Sequence, residues 1–140
     1  MRALGLDLGT KRIGVAVSDR SGTIASPLTV LPRSRSQGED HARIAELVRD
    51  EEAECVVVGL PLSLSGADGP AARAARAEAE RLATVVGVPV ETHDERLTTV
   101  TAERSLVAGG VRGPARRQLV DKVAAAVILQ SWLDARGTRP

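Results

Sequence analysis

Three acidic residues fall at positions where a carboxylate would point toward the interior of the protein. Asp7 lies in the apolar segment ALGLDL, whose side chains alternate between the two faces of a predicted strand. In a central strand both faces are covered, and burying a charge without a partner is costly. The partner of Asp7 is either a cation of the following turn, Lys11 or Arg12, or a divalent metal ion. Taken alone, Asp7 favours the salt bridge.

Asp121 is the second such acid, and it belongs to the last predicted helix. The apolar positions that define the buried face of this helix recur at helical spacing: Ala125, Ile128, Leu129 and Trp132. Asp121 lies four residues before the first of them and therefore shares their face, although an acid is ordinarily expected on the solvent face. The alternative to a metal-ligand role is an ion pair with Lys122 or Arg117.

Glu95 is the third acid, in the segment HDERLTT. We predict a strand from Val88 to Thr92 and a helix that begins at Thr98, with Asp94 or Thr98 as the capping residue. Glu95 is then left to face the crevice at the carboxyl end of the sheet, where ligand sites of α/β proteins form. His93 is a further candidate ligand, but we favour an exposed or hydrogen-bonded histidine.

Three carboxylates from separate elements can converge only if a cation compensates their repulsion. Their oxygen-only donor set, without a His or Cys cluster, selects a hard cation such as Mg²⁺ or Mn²⁺. Two such ions about 3.5 to 4 Å apart can activate a water molecule and stabilise the leaving oxygen during phosphodiester hydrolysis. We therefore expect Asp7, Glu95 and Asp121 to be catalytic metal ligands, a convergence inferred from the predicted topology.

The elements that position these acids follow from apolar patterning and turn residues. We predict strands at Ala3–Leu8, Ile13–Ser18, Ile24–Leu31, Glu54–Leu60 and Val88–Thr92, and helices at Glu39–Glu52, Ala71–Val86, Thr98–Ala108 and Ala115–Ala135. A hairpin meander followed by βα units implies an α/β fold with a mixed central sheet and helices on both faces. We expect a single domain over residues 1–136 and a disordered tail over 137–140.

Composition restricts the classes of protein to consider. The chain has 140 residues, of which 43% are hydrophobic and 26% charged, and a net charge of +1. The longest apolar run, Val123 to Leu129, is too short to cross a bilayer, so no membrane association is expected. The single cysteine, Cys55, allows no internal disulfide and favours a cytoplasmic protein. Because Phe and Tyr are absent, nucleic acid would be held by its backbone rather than by base stacking.

Four blocks in chain order resemble the signature segments of the YqgF family, also called RuvX. They are DLGTKRIGVAVSD (7–19), VVGLPLSLSGADGP (57–70), DERLTT (94–99) and VDKVAAAVILQ (120–130). The family is described as Holliday junction resolvases and as nucleases that mature the 5′ end of pre-16S rRNA. The resemblance implies an RNase H-like fold in which Asp7, Glu95 and Asp121 bind the catalytic metal ions.

The same resemblance suggests which residues hold the substrate. Lys11 and Arg12 follow the first acid and would contact a phosphate. A cluster around a glycine-rich loop just before the third acid would hold the nucleic-acid backbone: Arg112, Arg116 and Arg117. Three glycines are candidates for phosphate contacts through backbone N–H groups, with turn geometry an equal alternative: Gly59, Gly66 and Gly69.

The expected function is processing of the 5′ end of pre-16S rRNA by a metal-dependent endonuclease. One alternative is a Holliday junction resolvase acting on branched DNA, which would need a homodimer to cut two strands symmetrically. Another is a non-catalytic RNA-binding or transcription-associated factor on the same scaffold, against which the presence of all three acids weighs. The DLGTK segment also suggests an actin-like ATPase module, but such proteins need two related domains to enclose a nucleotide.

Overall fold

The first three strands form the predicted antiparallel meander, and two parallel strands extend it. The computed structural model describes residues 1–63, 65–98 and 113–137. Its strands are β1 (Ala3–Leu8), β2 (Arg12–Ser18), β3 (Ala25–Pro32), β4 (Cys55–Leu60) and β5 (Val90–Asp94). Its helices are α1 (Gln37–Asp50), α2 (Pro70–Val86) and α3 (Gly113–Gly137), with a short 3₁₀ turn at Glu95–Leu97.

The sheet has the strand order β3-β2-β1-β4-β5. β2 is antiparallel to both β1 and β3, whereas β1, β4 and β5 run parallel to one another. The predicted mixed sheet is therefore confirmed, and β3, the strand that contains Pro27, lies at one side of it, where proline is tolerated in a sheet. The carboxyl ends of the three parallel strands lie together at one end of the sheet. This end carries the candidate site.

Helices cover both faces of the sheet, as predicted. Leu4, Leu6 and Val58 face α1 and α2, in the cluster that also contains Ile44 and Leu82. On the opposite face of the sheet, the strand residues Ala3, Ala16 and Val57 are buried. They pack with residues of α3: Ile128, Leu129 and Trp132. The alternation along β1 thus divides its side chains between two hydrophobic layers.

Two glycines let α3 lie directly on the sheet. A Cβ at Gly5 would be 2.7 Å from Leu129 Cβ, and a Cβ at Gly14 would overlap the carbonyl oxygen of Asp121. Contacts as close as these occur only where no side chain intervenes. The start of α3, and with it the backbone of Asp121, is therefore held against β2.

Several predicted boundaries are wrong by about two residues. β5 begins at Val90 rather than Val88, because Gly87 ends α2 with φ +73° and the carbonyl of Pro89 accepts from Val56 N–H before the strand starts. α3 begins at Gly113 rather than Ala115, which places Pro114 in the first turn of a helix, where proline is well tolerated.

The remaining predictions have mixed outcomes. Ser36 caps α1 by accepting from Glu39 N–H. α3 continues through Gly137, whereas residues 138–140 and most of the helix predicted from Thr98 to Ala108 lie outside the described residues. Cys55 is buried, and burial raises the pKa of its thiol. Within the described part of the chain, no helix is both long and apolar enough to span a membrane.

Candidate active site

An open cleft of about 740 Å³ lies at the carboxyl edge of the sheet. Asp7, Glu95 and Asp121 all line it, so the structure brings the three predicted acids to one cavity. They come from three different elements: the end of β1, the turn after β5 and the first part of α3. We call these three residues the acid cluster.

Asp7 is the penultimate residue of β1 and lies opposite Gly14 of β2. The strand ends immediately after it because the chain turns, with Gly9 N–H donating to the carbonyl of Asp7 at 3.1 Å. Since Gly14 also contacts the backbone of Asp121, one glycine lies between the elements that carry two of the acids.

Glu95 opens the 3₁₀ turn that follows β5. Asp94 caps this turn by accepting from Arg96 N–H at 2.9 Å, whereas most of the helix that it was expected to cap lies outside the described residues. Side-chain hydrogen bonds from Arg96 are the main cause that lowers the pKa of Asp94, so this carboxylate is committed to the turn. A Cβ at Gly59 would lie 3.2 Å from Glu95 Cγ, and the absence of a side chain there makes room for Glu95.

Packing and turn geometry account for two of the three candidate glycines. A Cβ at Gly59 would also lie 2.6 Å from Ile128 Cδ1 of α3. Gly66 has φ +85°, the left-handed region that favours glycine, and Gly69 is the N-cap of α2. The turn-geometry interpretation is therefore sufficient for Gly66, and close helix packing is sufficient for Gly59.

His93 is hydrogen-bonded, as expected. Its Nε2 lies 2.9 Å from Ser131 Oγ of α3, and this hydroxyl donates to the carbonyl of Leu97 at 3.1 Å. Burial lowers the pKa of His93, which favours the neutral ring. The chain of hydrogen bonds connects β5, α3 and the far end of the turn that carries Glu95.

Asp121 forms an ion pair that the sequence does not reveal. Arg12 Nε donates to Asp121 Oδ2 at 2.7 Å, across 109 residues of sequence. The side chains are 28% and 19% exposed, respectively. From the sequence, an ion-pair partner of Asp121 is expected on its own helix, and Arg12 is expected as a partner of Asp7. The structure instead joins the first residue of β2 to α3.

The donor set of the acid cluster fits a hard divalent cation. The described residues that line the cleft include five carboxylates but neither His nor Cys, and Mg²⁺ and Mn²⁺ prefer such oxygen ligands. As the side chains stand, no three His, Cys, Asp or Glu residues among the described ranges are grouped closely enough to hold an ion. One reason is visible, because an oxygen of Asp121 faces Arg12.

The predicted substrate-binding residues divide into two groups. Lys11 and Arg12 line the cleft beside the acid cluster. Arg112 lies outside the described residues, and Arg116 and Arg117 belong to α3 through their backbone, with side chains outside the description.

A second group of charged residues lines or underlies the same cleft, and no local pattern in the sequence indicates it. Arg33 donates to both carboxylate oxygens of Glu78 at 2.6 and 2.8 Å and to the carbonyl of Gly9 at 3.0 Å. His41 Nε2 lies 2.8 Å from Glu78, and Asp40 lies 3.6 Å from Arg33. We call Arg33, Asp40, His41 and Glu78 the buried network.

Electrostatics in the buried network favour the charged forms of its two carboxyl groups, Asp40 and Glu78. Burial alone would raise the pKa of Glu78, but hydrogen bonds from Arg33 and His41 outweigh it and lower that pKa. For Asp40, burial is likewise outweighed, here by hydrogen bonds from Ser34 and Arg43, and the pKa is lowered. Through Gly9, Arg33 also supports the turn between β1 and β2, which carries Lys11.

Comparison with known proteins identifies the family. A family model described as "RuvX: Holliday junction resolvase" matches residues 1–135. The chain belongs to the RuvX family. A relative from Anaeromyxobacter dehalogenans (strain 2CP-C) is 52% identical over 136 residues, which cover 97% of this chain and 98% of that protein. A relative from Symbiobacterium thermophilum is 50% identical over 140 residues, which cover 100% of this chain and 96% of that protein. Each is named "Putative pre-16S rRNA nuclease".

Solved structures support the RNase H-like fold of this RuvX family member. The chain matches "T. thermophilus RuvC in complex with Holliday junction substrate" with a TM-score of 0.61 and 22% identity, covering 99% of this chain and 96% of that one. A second match, "Thermus thermophilus RuvC structure", has a TM-score of 0.58 and 21% identity, and it covers 98% of this chain and 96% of that one. Both matches show the fold expected from the sequence.

Proposed function

We propose that the chain is a metal-dependent endonuclease that processes the 5′ end of pre-16S rRNA in the cytoplasm. The observation that carries this proposal is the placement of Asp7, Glu95 and Asp121, from three elements, around one open cleft. The relatives that cover this chain almost end to end bear the name of a pre-16S rRNA nuclease, and that name supplies the substrate.

The acidic and the basic residues of the chain would have separate roles. Asp7, Glu95 and Asp121 would hold Mg²⁺ or Mn²⁺, and a divalent cation so held activates water and stabilises a leaving oxygen. Lys11 and Arg12, beside the acids, would bind the scissile or an adjacent phosphate. Arg112, Arg116 and Arg117 would contact the sugar–phosphate backbone farther along, which requires no aromatic platform.

Cleavage of branched DNA is a second candidate. The family model carries the description of a Holliday junction resolvase, and this observation favours it. A resolvase would act as a homodimer so that two equivalent acid clusters reach two strands.

A side-by-side cleavage assay distinguishes these functions. The purified protein is offered an RNA that spans the 5′ end of 16S rRNA with its leader, and a four-way DNA junction, each with Mg²⁺ or Mn²⁺. We expect the RNA to be cut near the mature end and the junction to remain intact, and Asp7→Asn is the control for contaminating nuclease.

Symmetric cleavage of the junction alone would assign the resolvase function instead. Binding of RNA without cleavage by well-folded protein, with either cation, would contradict a nuclease and favour the non-catalytic RNA-binding alternative.

A further inference from the structure

The Arg12–Asp121 ion pair engages Asp121, the acid that the proposed function assigns to binding of a cation. Arg12 Nε and Asp121 Oδ2 are 2.7 Å apart, and both residues line the cleft. A guanidinium in this position neutralises the same carboxylate that a divalent ion would bind. Arg12 and a cation therefore compete for Asp121.

The backbone on both sides of the pair is fixed, so the exchange concerns side chains alone. Arg12 is the first residue of β2, and its register partner in β3 is Pro32. The backbone of Asp121 lies against Gly14, two residues farther along the same strand. A change of partner can thus occur by rotation of the Arg12 side chain, without movement of a strand or helix.

The pair is also weak enough to exchange. It has one close contact, and 28% of the Arg12 side chain is exposed. Partly exposed pairs of this kind contribute little to stability because solvent screens them. The Arg33–Glu78 pair, in contrast, has two short contacts and side chains that are 16% and 6% exposed, so it is not suited to exchange.

We propose that Arg12 is a positioning residue that holds Asp121 in the metal-free protein and releases it to a divalent cation. This inference rests on the proposed function, because it takes Asp121 as a metal ligand. Once released, the guanidinium of Arg12 remains at the cleft, where it can bind a phosphate of the substrate. Binding of the cation and binding of nucleic acid are then coupled, each favouring the other.

The affinity for Mn²⁺ tests the exchange without any measurement of cleavage. Free Mn²⁺ is measured by electron paramagnetic resonance during titration of the wild type, Arg12→Gln and Lys11→Gln. Removing the competitor should tighten Mn²⁺ binding by Arg12→Gln about two- to fivefold, the range expected for a partly exposed pair. Damage to the site would have the opposite sign, since a disordered site binds the ion more weakly.

Lys11→Gln is the matched control, because Lys11 lines the same cleft and loses the same charge. If the general field of the cleft were responsible, both variants would bind Mn²⁺ more tightly to a similar extent. Equal effects, or an Arg12→Gln affinity no higher than that of the wild type, would overturn the exchange.

Asp7→Asn separates this inference from the proposed function. If the wild type binds Mn²⁺ saturably and Asp7→Asn does not, the metal site stands and the Arg12 variants decide the exchange alone. If the wild type shows no saturable site that depends on Asp7, the proposed metal site is wrong and the exchange is wrong with it.

Discussion

Two groups of charged residues meet at one cleft, and they differ in how their charges are compensated. In the buried network, Glu78 is 6% exposed and receives two hydrogen bonds from Arg33 and one contact from His41. In the acid cluster, the Asp121 side chain is 19% exposed and has one close contact with Arg12. The first group is saturated by protein partners, whereas in the second the Asp121 carboxylate is held by one partly exposed contact at the cleft.

The difference shows that buried charge alone does not locate an active site. Both groups contain acids with basic partners, and both contribute to the lining of the cleft. Breaking a saturated, buried pair should chiefly cost stability, because it leaves a charge without a partner. Changing a partly exposed carboxylate that lines the cleft should chiefly cost chemistry. Each prediction below tests that division.

The largest effect is expected for removal of charge from the acid cluster. Asp7→Asn, Glu95→Gln and Asp121→Asn should each reduce cleavage of the precursor RNA at least about a thousandfold, since a catalytic metal contributes several kcal/mol. Initial rates at saturating Mn²⁺ measure the effect. Asp50→Asn, an exposed acid at the end of α1, is the control and should cleave like the wild type. Near-normal turnover in any of the three variants would remove that residue from the catalytic set.

The buried network should respond in stability instead. Glu78→Gln keeps the size of the side chain but removes the closer counter-charge of Arg33 and leaves only Asp40 at 3.6 Å, and disruption of such a buried pair costs about 3 to 5 kcal/mol. Urea denaturation measures the free energy of unfolding. Glu80→Gln, two residues farther along α2 and exposed, should change it by less than about 0.5 kcal/mol. Equal stability of the two variants would show that the network is not a stabilising element.

A glycine substitution tests how far the acid cluster depends on packing. The Cβ of Gly14→Ala would overlap the carbonyl oxygen of Asp121, and this backbone contact can be relieved only by a shift of α3. We expect a loss of about 1 to 3 kcal/mol, as for other overpacked sites, together with weaker Mn²⁺ binding.

Gly38→Ala is the matched control for that substitution. The nearest atom to its Cβ would be Ser36 Oγ at 3.5 Å, and alanine favours a helix, so stability should rise by up to about 1 kcal/mol. If Gly14→Ala were as stable as the wild type, α3 would not rest on β2 as described.

The smallest effect concerns acid pH. The pKa values of Glu78 and Asp40 are lowered in the folded protein, so the unfolded chain binds more protons as the pH falls. Their stabilisation is therefore complete above the unfolded carboxyl pKa of about 4 and is lost as the pH falls below it. Unfolding free energies measured between pH 3 and 6 should decline at the acid end, and the decline should be shallower in Glu78→Gln. An identical slope in both proteins would contradict the assigned pKa shifts.

The sequence predicts the sheet, the layers and the members of the acid cluster because these features leave local signals. The apolar strand around Asp7 and the helical spacing that places Asp121 on a buried face can be read from neighbouring residues. The predicted boundaries are wrong where a residue is compatible with both a loop and a helix. Pro114 is an example, because the predicted helix begins one residue after it but the observed α3 includes it in its first turn.

The ion pairs could not be predicted, because nothing local specifies their partners. Arg12 and Asp121 are 109 residues apart, and Arg33 and Glu78 are 45 apart. Among 19 basic and 18 acidic residues, the number of possible pairs is large, and only the folded topology selects these two. The distinction between a saturated and an exchangeable carboxylate is therefore a property of the tertiary structure.

A crystal structure with Mn²⁺ shows whether Asp7, Glu95 and Asp121 bind one divalent cation together. Anomalous scattering locates Mn²⁺ independently of any assumption about its ligands. We expect an anomalous peak within ligation distance of carboxylate oxygens of all three residues, with Arg12 turned away from Asp121. A fully occupied peak elsewhere, with Asp121 still bonded to Arg12, would contradict it.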